Sequence, residues 1–351
     1  MKSIGKMGYI IPTYGRETIR EIGREIYNSE FCKYSGTDIA TALFAACIQN
    51  KSLEAVAKAP NADTVIWRIN KGITLDGVKK LIIIQRPEKG IHLTLLIDGH
   101  DDISHGERAT TGLVGTKPKN GSSYAFKYLV AYTTSKPHSI VDVMPLYDGS
   151  TARPTISMIE GLRKDYVIDG VVMDGEFYLA ELLEYLFVND IPFTCRRTDT
   201  GNIRELNISY REPMLYNVQM EREGRVIGFK YWLYRYKGKD GDFYLASSIH
   251  TTPRKLQKLY KRRWNIETCF REVNIVKMKT KTMNFLVRLF FYVVASIVYN
   301  LWMKARFRFS LLELRMYEFT KILKDFIEEN ILNHTDIGNL IRKKIIRLKF
   351  W

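Results

Sequence analysis

The sequence is poor in cysteine, and its cysteines are not paired in the chain. Metal ribbons and disulfide-stapled secreted domains depend on closely spaced pairs such as Cys-x-x-Cys, so both classes are disfavoured. Isolated cysteines are typical of a reducing compartment, and we expect a cytoplasmic protein. The four that occur among 351 residues are Cys32, Cys47, Cys195 and Cys269.

Long uninterrupted hydrophobic runs are missing as well. The opening residues, MKSIGKMGYIIPTYGRE, lack the apolar core of a secretory signal. The most apolar stretch, Phe285–Met303, is interrupted by Arg288 and Asn300. About ten continuous apolar residues remain there, whereas a membrane span needs about twenty. We therefore expect a buried core helix in this stretch and no membrane partner.

Acidic residues are outnumbered by basic ones, 38 against 54, which gives a formal net charge of +16. Such an excess favours a polyanionic partner, either nucleic acid or an anionic membrane surface. The hydrophobic content of 46% is sufficient for a sizeable core. The length suggests two or three domains, or one domain with insertions. No internal repeat or low-complexity segment is present.

Residues 1–88 are predicted to form an all-helical domain, with Pro60 and Gly72 as breaks between short helices. A short helix, a tight turn and a second short helix surround Trp67 and Arg68. This pattern resembles a helix-turn-helix, which would place DNA recognition in this domain. Because any helical bundle gives the same pattern, a purely structural role stays open.

From residue 89 onward, strand patterns replace the purely helical ones. Consecutive strands without a helix between them predict antiparallel pairing, and later alternation with helices predicts parallel pairs. We predict an α/β fold for residues 89–199, with a mixed sheet flanked by helices and a long polar loop after Asp98. The predicted strands are Ile91–Ile97, Tyr124–Thr133, Ile140–Tyr147, Val167–Met173 and Ile191–Cys195, and the helices are Pro154–Tyr166 and Tyr178–Phe187.

Residues 200–250 interrupt this alternation and are predicted to form an inserted antiparallel β subdomain. Residues 251–308 then return to helices that complete the core, and residues 309–351 form a basic helical tail. The β-like segments of the insertion are Ile203–Tyr210, Met214–Met220, Val226–Tyr236 and Asp242–Ile249.

The stretch Leu259–Asn274, LYKRRWNIETCFREVN, contains no glycine or proline and is predicted to be one helix. At about 100° per residue, it has an apolar stripe that suits a core and a neighbouring polar stripe. Salt bridges between turns of a surface helix are the alternative reading of the polar stripe. That stripe collects Tyr260, Arg263, Trp264, Glu267, Arg271 and Asn274.

Three carboxylates occupy positions suited to phosphodiester chemistry. Asp98 and Asp174 follow predicted strands, and Glu267 lies on the predicted helix. Two Mg²⁺ ions bound by oxygen ligands can activate the attacking oxygen and stabilise the leaving oxygen of an in-line displacement. A single aspartate after a strand is usually a turn or cap residue. The order of all three together is the more specific signal.

Other polar residues near Asp98 compete for a functional role. His100 and His105 suggest a metal site, but no cysteine or supporting pattern accompanies them, so we expect exposed loop histidines. Asp101 and Asp102 are expected to face solvent or to support the loop.

With these residues in place, the sequence resembles the DDE transposases of prokaryotic insertion sequences. It is most similar to the group with a Y-x2-R-x3-E-x6-K signature, which Tyr260, Arg263 and Glu267 match in type and spacing. The segments IDGHDD, VVMDGEFY, YKRRWNIETCFR and VRLFFYVVASIVYNLW are also typical of the group. The resemblance covers about residues 90–305, and it departs at Asn274, where the signature has lysine.

The resemblance implies an RNase H-like catalytic core in which Asp98, Asp174 and Glu267 hold two Mg²⁺ ions, with Mn²⁺ as a substitute. It also implies that residues of the signature contact double-stranded DNA at the cleaved end. Loss of the signature lysine at Asn274 removes a phosphate-pairing charge but no metal ligand, so both the efficiency and the activity itself are in question, but not the reaction class. The DNA-binding candidates are Tyr260, Arg263, Trp264, Arg271 and Lys277.

The activity implied by the resemblance is cut-and-paste transposition. Such an enzyme binds the terminal repeats of its element, nicks one strand and uses the freed 3′-hydroxyl as the next nucleophile, with a hairpin intermediate. Pairing two ends implies a homodimer, and the DNA substrate implies association with the nucleoid. Two alternatives remain: another RNase H-like nuclease, such as a resolvase or a hybrid nuclease, and an inactive DNA-binding relative.

Overall fold

The computed structural model divides the chain into two compact units. The first comprises Met1–Arg86, Pro137–Ser139 and Cys269–Trp351, and the second comprises Pro87–Lys136 and Ile140–Thr268. The structure describes residues 15–332 except 28, 30, 31, 58, 59, 106–109, 199–202, 204, 223, 240, 309, 311 and 312. The basic end of the predicted C-terminal tail, IRKKIIRLKFW, therefore lies outside the described residues.

The second unit is built on a mixed sheet with strand order β2-β3-β1-β5-β6-β9-β8-β7, in which β4 also pairs with β3. Strand β1 is antiparallel to β3 and parallel to β5, and β5 is parallel to β6. The predicted mixed sheet is thus confirmed. The strands are β1 (His92–Ser104), β2 (Leu113–Lys119), β3 (Ser122–Thr133), β4 (Ser139–Leu146), β5 (Val167–Met173), β6 (Phe193–Arg197), β7 (Met214–Arg222), β8 (Arg225–Gly238) and β9 (Gly241–Ser247).

The prediction of a long polar loop after Asp98 is wrong in two respects. Strand β1 continues through Asp98 to Ser104, and much of the predicted loop is the edge strand β2. β2 joins β3 through Asn120 and Gly121, whose φ angles of 52° and 77° suit a tight hairpin turn. Glycine, proline and lysine in LVGTKPK conceal the strand in the sequence, because those residues are tolerated mainly at sheet edges.

The extension of β1 also corrects the expectation for its polar residues. His100 is only 6% exposed and stacks on Tyr128 at a centroid distance of 6.4 Å, so it is not a loop histidine. Asp102 is buried in the same strand. Asp101 is half-buried and accepts a hydrogen bond from the Thr116 hydroxyl at 2.6 Å. These groups are therefore structural parts of the sheet.

Strands β7, β8 and β9 are antiparallel, as predicted for the insertion. They extend the main sheet, because β9 pairs with β6 from Thr194↔Ser247 to Arg197↔Tyr244. The β-like segment predicted at Ile203–Tyr210 forms no strand in the part of it that the structure describes. Its apolar side chains Ile203 and Ile208 are instead buried in the core beneath the sheet.

The helices of the second unit cover the sheet and position the residues discussed below. α6 (Ala152–Arg163) and α7 (Ala180–Val188) pack together, α6 against β3 and α7 against β8. Their buried side chains, including Leu162 and Leu182, share a core with Ile97 and Val171 of the strands. Two further helices, α8 (Pro253–Lys261) and α9 (Trp264–Val276), follow the last strand, and the unit boundary falls within α9.

The first unit is mainly helical in its described part. α1 covers residues 15–24. The later helices α10 and α11 pack on α2, and α10 also packs on α5. The remaining bounds are α2 (Gly36–Ile48), α3 (Leu53–Val56), α4 (Ala62–Gly72), α5 (Leu75–Ile84), α10 (Phe285–Arg308) and α11 (Met316–Leu332).

Helix α10 contains the apolar stretch that resembles a membrane span in the sequence. It has 24 residues, and its most apolar window has a mean hydropathy of 1.7. Among the described residues it is the one helix long and apolar enough to cross a membrane, but 89% of that window is buried inside the protein. Such burial is what a core helix requires.

In the segment that resembles a helix-turn-helix, one of the two residues considered for DNA recognition is buried and the other is exposed. Arg68 on α4 is buried, and its guanidinium donates hydrogen bonds to the carbonyl oxygens of Tyr27 and Tyr34. Trp67 is exposed. Arg68 therefore anchors the chain that precedes α2, and we assign it a structural role.

Candidate active site

The two aspartates lie side by side where one strand pairing ends. The parallel pairing of β1 with β5 ends at Ile97↔Met173. Asp98 and Asp174 are the next residues on the two chains. Beyond this point β1 stays paired with β3, Asp98 lying opposite Val130, whereas the chain at Asp174 leaves the sheet through a 3₁₀ turn, Gly175–Phe177. The end of one parallel ladder thus brings the two carboxylates together.

The predicted single helix Leu259–Asn274 is wrong, because the chain is interrupted between α8 and α9. The main-chain N–H of Arg262 donates to the Leu259 carbonyl at 3.0 Å, and that of Arg263 donates to the Tyr260 carbonyl at 2.9 Å. Such i to i+3 hydrogen bonds tighten the turn relative to an α-helix. The two residues of the turn carry no helix-breaking signal in the sequence.

The tightened turn places the guanidinium of Arg263 among all three carboxylates. One nitrogen, Nη1, lies 3.3 Å from Oδ2 of Asp98 and 3.8 Å from Oδ2 of Asp174. The other, Nη2, lies 2.6 Å from Oε1 of Glu267, one helical turn further on. Arg263 is 12% exposed and Asp98 15%. The predicted carboxylates therefore converge, and one half-buried cation offsets part of their charge.

Tyr260 completes this cluster from the last turn of α8. Its hydroxyl donates a hydrogen bond to Oδ1 of Asp174 at 3.1 Å. The thiol of Cys195 donates to the Asp174 main-chain carbonyl at 3.0 Å, which ties the middle of β6 to the chain at Asp174. Asp174 is thus held through both its side chain and its backbone.

The electrostatics of the cluster are unusual at Asp98. Burial raises the pKa of its carboxyl to about 7, and repulsion from Asp174 and Glu267 acts in the same direction. The Arg263 guanidinium and the Gly99 N–H oppose this rise in the Asp98 pKa. Burial also raises the pKa of Tyr260, with the Asp174 carboxylate adding to the effect. A divalent cation bound at the cluster would lower the Asp98 pKa again, because an opposite charge favours the ionised carboxylate.

The donor chemistry of this cluster fits Mg²⁺, a hard cation that prefers carboxylate oxygens. The two aspartate oxygens that share Nη1 are at most about 7 Å apart, given their distances of 3.3 and 3.8 Å to it. Two ions roughly 3.5–4 Å apart need ligands with this spread. In the described ranges, however, no three His, Cys, Asp or Glu side chains are already grouped to hold a metal ion. Arg263 occupies the position between the carboxylates.

The remaining predicted DNA-binding residues lie on or beyond α9. Trp264 is 62% exposed, and the Arg263 guanidinium lies 5.9 Å from its ring centroid. Arg271 is exposed on α9, and Lys277 follows the end of that helix. These last two residues belong to the first unit.

Asn274, which replaces the signature lysine, lies near the end of α9 in the first unit. Its main-chain carbonyl accepts a hydrogen bond from the Asn50 side chain at 2.8 Å. Its own side chain is exposed. The position could therefore carry a longer side chain without disturbing that contact.

An arginine beside the cluster escaped the sequence analysis. The Arg197 guanidinium lies 4.1 Å from the ring centroid of Tyr178, which follows the 3₁₀ turn after Asp174. The Tyr178 hydroxyl in turn lies 2.7 Å from that of Tyr231. The only signal in the sequence is the dipeptide Arg196-Arg197, which ends a strand next to that of Asp174.

Comparison with known proteins identifies a family and a fold. The model of the transposase DDE domain family matches residues 89–301. No curated protein matches the chain. Among solved structures, a piggyBac transposase synaptic complex with hairpin DNA is similar, with 13% sequence identity, a TM-score of 0.60, and coverage of 96% of this chain and 84% of that chain. At such identity the likeness shows the fold, and it confirms the predicted RNase H-like α/β class.

Proposed function

The chain belongs to the transposase DDE domain family, and we propose that it cuts DNA at the ends of its own mobile element and joins them to a new site. The observation that carries this proposal is the convergence of Asp98, Asp174 and Glu267 on the guanidinium of Arg263. Carboxylates far apart in sequence but gathered around one cation form the kind of site that two-metal phosphodiester chemistry requires.

In this proposal, Asp98, Asp174 and Glu267 supply the oxygen ligands for Mg²⁺, and Mn²⁺ can substitute. The bound ions would polarise the scissile phosphate and lower the pKa of the attacking water. Arg263 then exchanges its carboxylate partners for a phosphate oxygen, since a guanidinium binds either group through two parallel hydrogen bonds. Tyr260 holds Asp174 in place and presents an aromatic face beside the cluster.

The finer assignment rests on the signature residues. We place the chain in the insertion-sequence group with the Y-x2-R-x3-E-x6-K signature, and we propose nicking followed by a hairpin at the element end. The similar piggyBac structure is described as a synaptic complex with hairpin DNA, which supports looking for both features here. A homodimer would then hold two ends together, at the nucleoid.

The test is cleavage of duplexes that carry the terminal repeats flanking the gene. We expect Mg²⁺- or Mn²⁺-dependent nicking at the repeat end, and a hairpin that runs as a double-length strand on a denaturing gel. A scrambled duplex is the control. Preferential cleavage of branched junctions or RNA:DNA hybrids would instead identify another nuclease. Binding without cleavage of any substrate would identify an inactive relative.

Asn274→Lys is expected to strengthen binding to repeat-end DNA by about threefold to tenfold and to steepen the salt dependence by about one unit of slope. The change restores a phosphate-pairing charge at an exposed position, where the Asn50 contact uses only the backbone. Fluorescence anisotropy across a salt series measures both quantities. Gln219→Lys, an equal charge change at an exposed site on β7, is the control, and equal gains from both variants would contradict the prediction.

A further inference from the structure

Helix α8 and the turn after it carry a dense group of basic residues without any acidic neighbour. No aspartate or glutamate occurs from Pro253 to Ile266, a segment that reads PRKLQKLYKRRWNI. Five of its cations are exposed to solvent, and we call them the α8 basic face: Arg254, Lys255, Lys258, Lys261 and Arg262.

The basic face is fixed outward by the packing of the opposite side of the helix. At 100° per residue, the five cations fall within an arc of about 120°. Leu256, on the far side, is fully buried in a small core with Tyr234 and Leu245. The hydroxyl of Tyr236 donates a hydrogen bond to the Pro253 carbonyl at 2.8 Å, which anchors the start of the helix. Rotation of α8 to hide the charges would break this core.

The five cations lack acidic partners in the part of the chain that the structure describes. Some other cations of the second unit are paired, such as Arg235 with Asp242 at 2.5 Å and Arg225 with Glu184 at 2.7 Å. Along α8, by contrast, Lys258 has like-charged neighbours one turn away on both sides. Like charges at that spacing destabilise a helix slightly. Because no acidic side chain among the described residues offsets this repulsion, the surface is suited to bind an external polyanion.

The basic face is continuous in the chain with the carboxylate cluster. Tyr260, whose hydroxyl contacts Asp174, lies on the opposite side of α8 from the face, but the last cation of the face, Arg262, directly precedes Arg263 of the cluster. A phosphate strand lying along the face would therefore reach the end of α8 next to Arg263. The helix is about 13 Å long, which spans about four successive phosphates of one strand along the duplex axis.

We propose that the α8 basic face binds the phosphate backbone of duplex DNA and guides one strand to the carboxylate cluster. The proposal rests on the proposed function for the identity of the DNA, but binding itself can be tested without cleavage. Duplex DNA is favoured over an anionic membrane, because membrane-bound amphipathic helices insert exposed apolar side chains. The apolar side of α8 is already buried in the protein.

The experiment compares two triple variants with equal loss of charge. Arg254→Gln, Lys258→Gln and Lys261→Gln remove three of the five cations of the basic face. The control combines Lys136→Gln, Lys164→Gln and Lys239→Gln, three exposed lysines elsewhere in the second unit. Affinity for a repeat-end duplex is measured by anisotropy in EDTA across a salt series, with thermal unfolding as the check that each variant is folded.

We expect the α8 variant to lose about tenfold to a hundredfold in affinity at moderate salt and about two to three units of salt slope. The control should lose less than about threefold, since long-range charge effects are screened. Equal losses in the two variants would overturn the proposal. So would unchanged DNA binding with lost binding to phosphatidylserine-containing vesicles. If the wild type binds DNA through this face but cuts no substrate, the proposed function fails while this proposal stands.

Discussion

Replacing Asp98 by asparagine is expected to lower the rate of DNA cleavage by at least about a thousandfold. The change keeps the size of the side chain and an oxygen that can accept the Gly99 N–H, which now bonds Oδ1 at 2.9 Å. It removes the negative charge that faces Arg263 and that a divalent ion would need. We therefore expect the fold and the affinity for duplex DNA to survive.

The measurement is single-turnover cleavage of the repeat-end duplex, with anisotropy for binding and circular dichroism for folding. Asp174→Asn and Glu267→Gln should behave in the same way as the Asp98 variant. Asp169→Asn is the matched control, because it removes an aspartate charge from the adjacent strand β5 at an exposed position, where the carboxylate contacts the His92 ring. Cleavage by the Asp98 variant at the rate of this control would show that the carboxylates are not the catalytic site.

The residues of this cluster could be found in the sequence because local signals identify them. The strand predicted at Val167–Met173 has the observed bounds of β5, since an apolar run ends abruptly at Asp174. Glu267 stands out through its fixed spacing from Tyr260 and Arg263. Such signals depend on a few neighbouring residues, so they can be recognised without knowing how the rest of the chain folds.

The arrangement inside the cluster depends on long-range contacts, which cannot be recognised in the local sequence pattern. The chain between α8 and α9 contains good helix formers, yet it turns where the Arg263 guanidinium meets Asp98, 165 positions earlier in the sequence. Likewise, β1 extends past Asp98 because β3 supplies a partner for every residue up to Ser104. Tertiary pairing here outweighs intrinsic propensity.

Continuity of the sheet is a further property that local patterns could not reveal. The segments β7, β8 and β9 were recognisable as antiparallel, but their attachment to β6 is set by the pairing of Cys195 with Ala246. Two strands so distant in sequence meet only when the intervening chain folds back. The sequence therefore predicted three strands of the insertion and not their place in the sheet.

Arg263→Gln is expected to destabilise the metal-free protein by about 2–3 kcal/mol. The guanidinium is the cation that lies among Asp98, Asp174 and Glu267, so its loss leaves three neighbouring carboxylates uncompensated. Retention of a proton by Asp98, whose pKa burial already raises to about 7, limits the cost. Thermal unfolding in EDTA measures this change.

Divalent ions should bind the same variant more tightly than they bind the wild type. In the wild type an incoming cation must displace Arg263 from the carboxylates, whereas in the variant the carboxylates are free to bind it. We expect Mg²⁺ or Mn²⁺ to bind the variant about tenfold more tightly by calorimetry, because removing a competing cation removes its coupling energy. Arg262→Gln removes the same charge from the exposed neighbouring residue, and neither its stability nor its metal affinity should change appreciably.

Cleavage by the Arg263 variant should nevertheless fall by about a hundredfold or more, because the phosphate clamp is lost together with the competitor. Tighter metal binding with slower cleavage separates the proposed role from a purely structural one. A structural arginine would lose stability and leave the metal affinity unchanged. If metal binding weakened instead, Arg263 would be orienting the carboxylates for the ions rather than occupying their place. The exchange of carboxylate for phosphate at this one guanidinium would then be excluded.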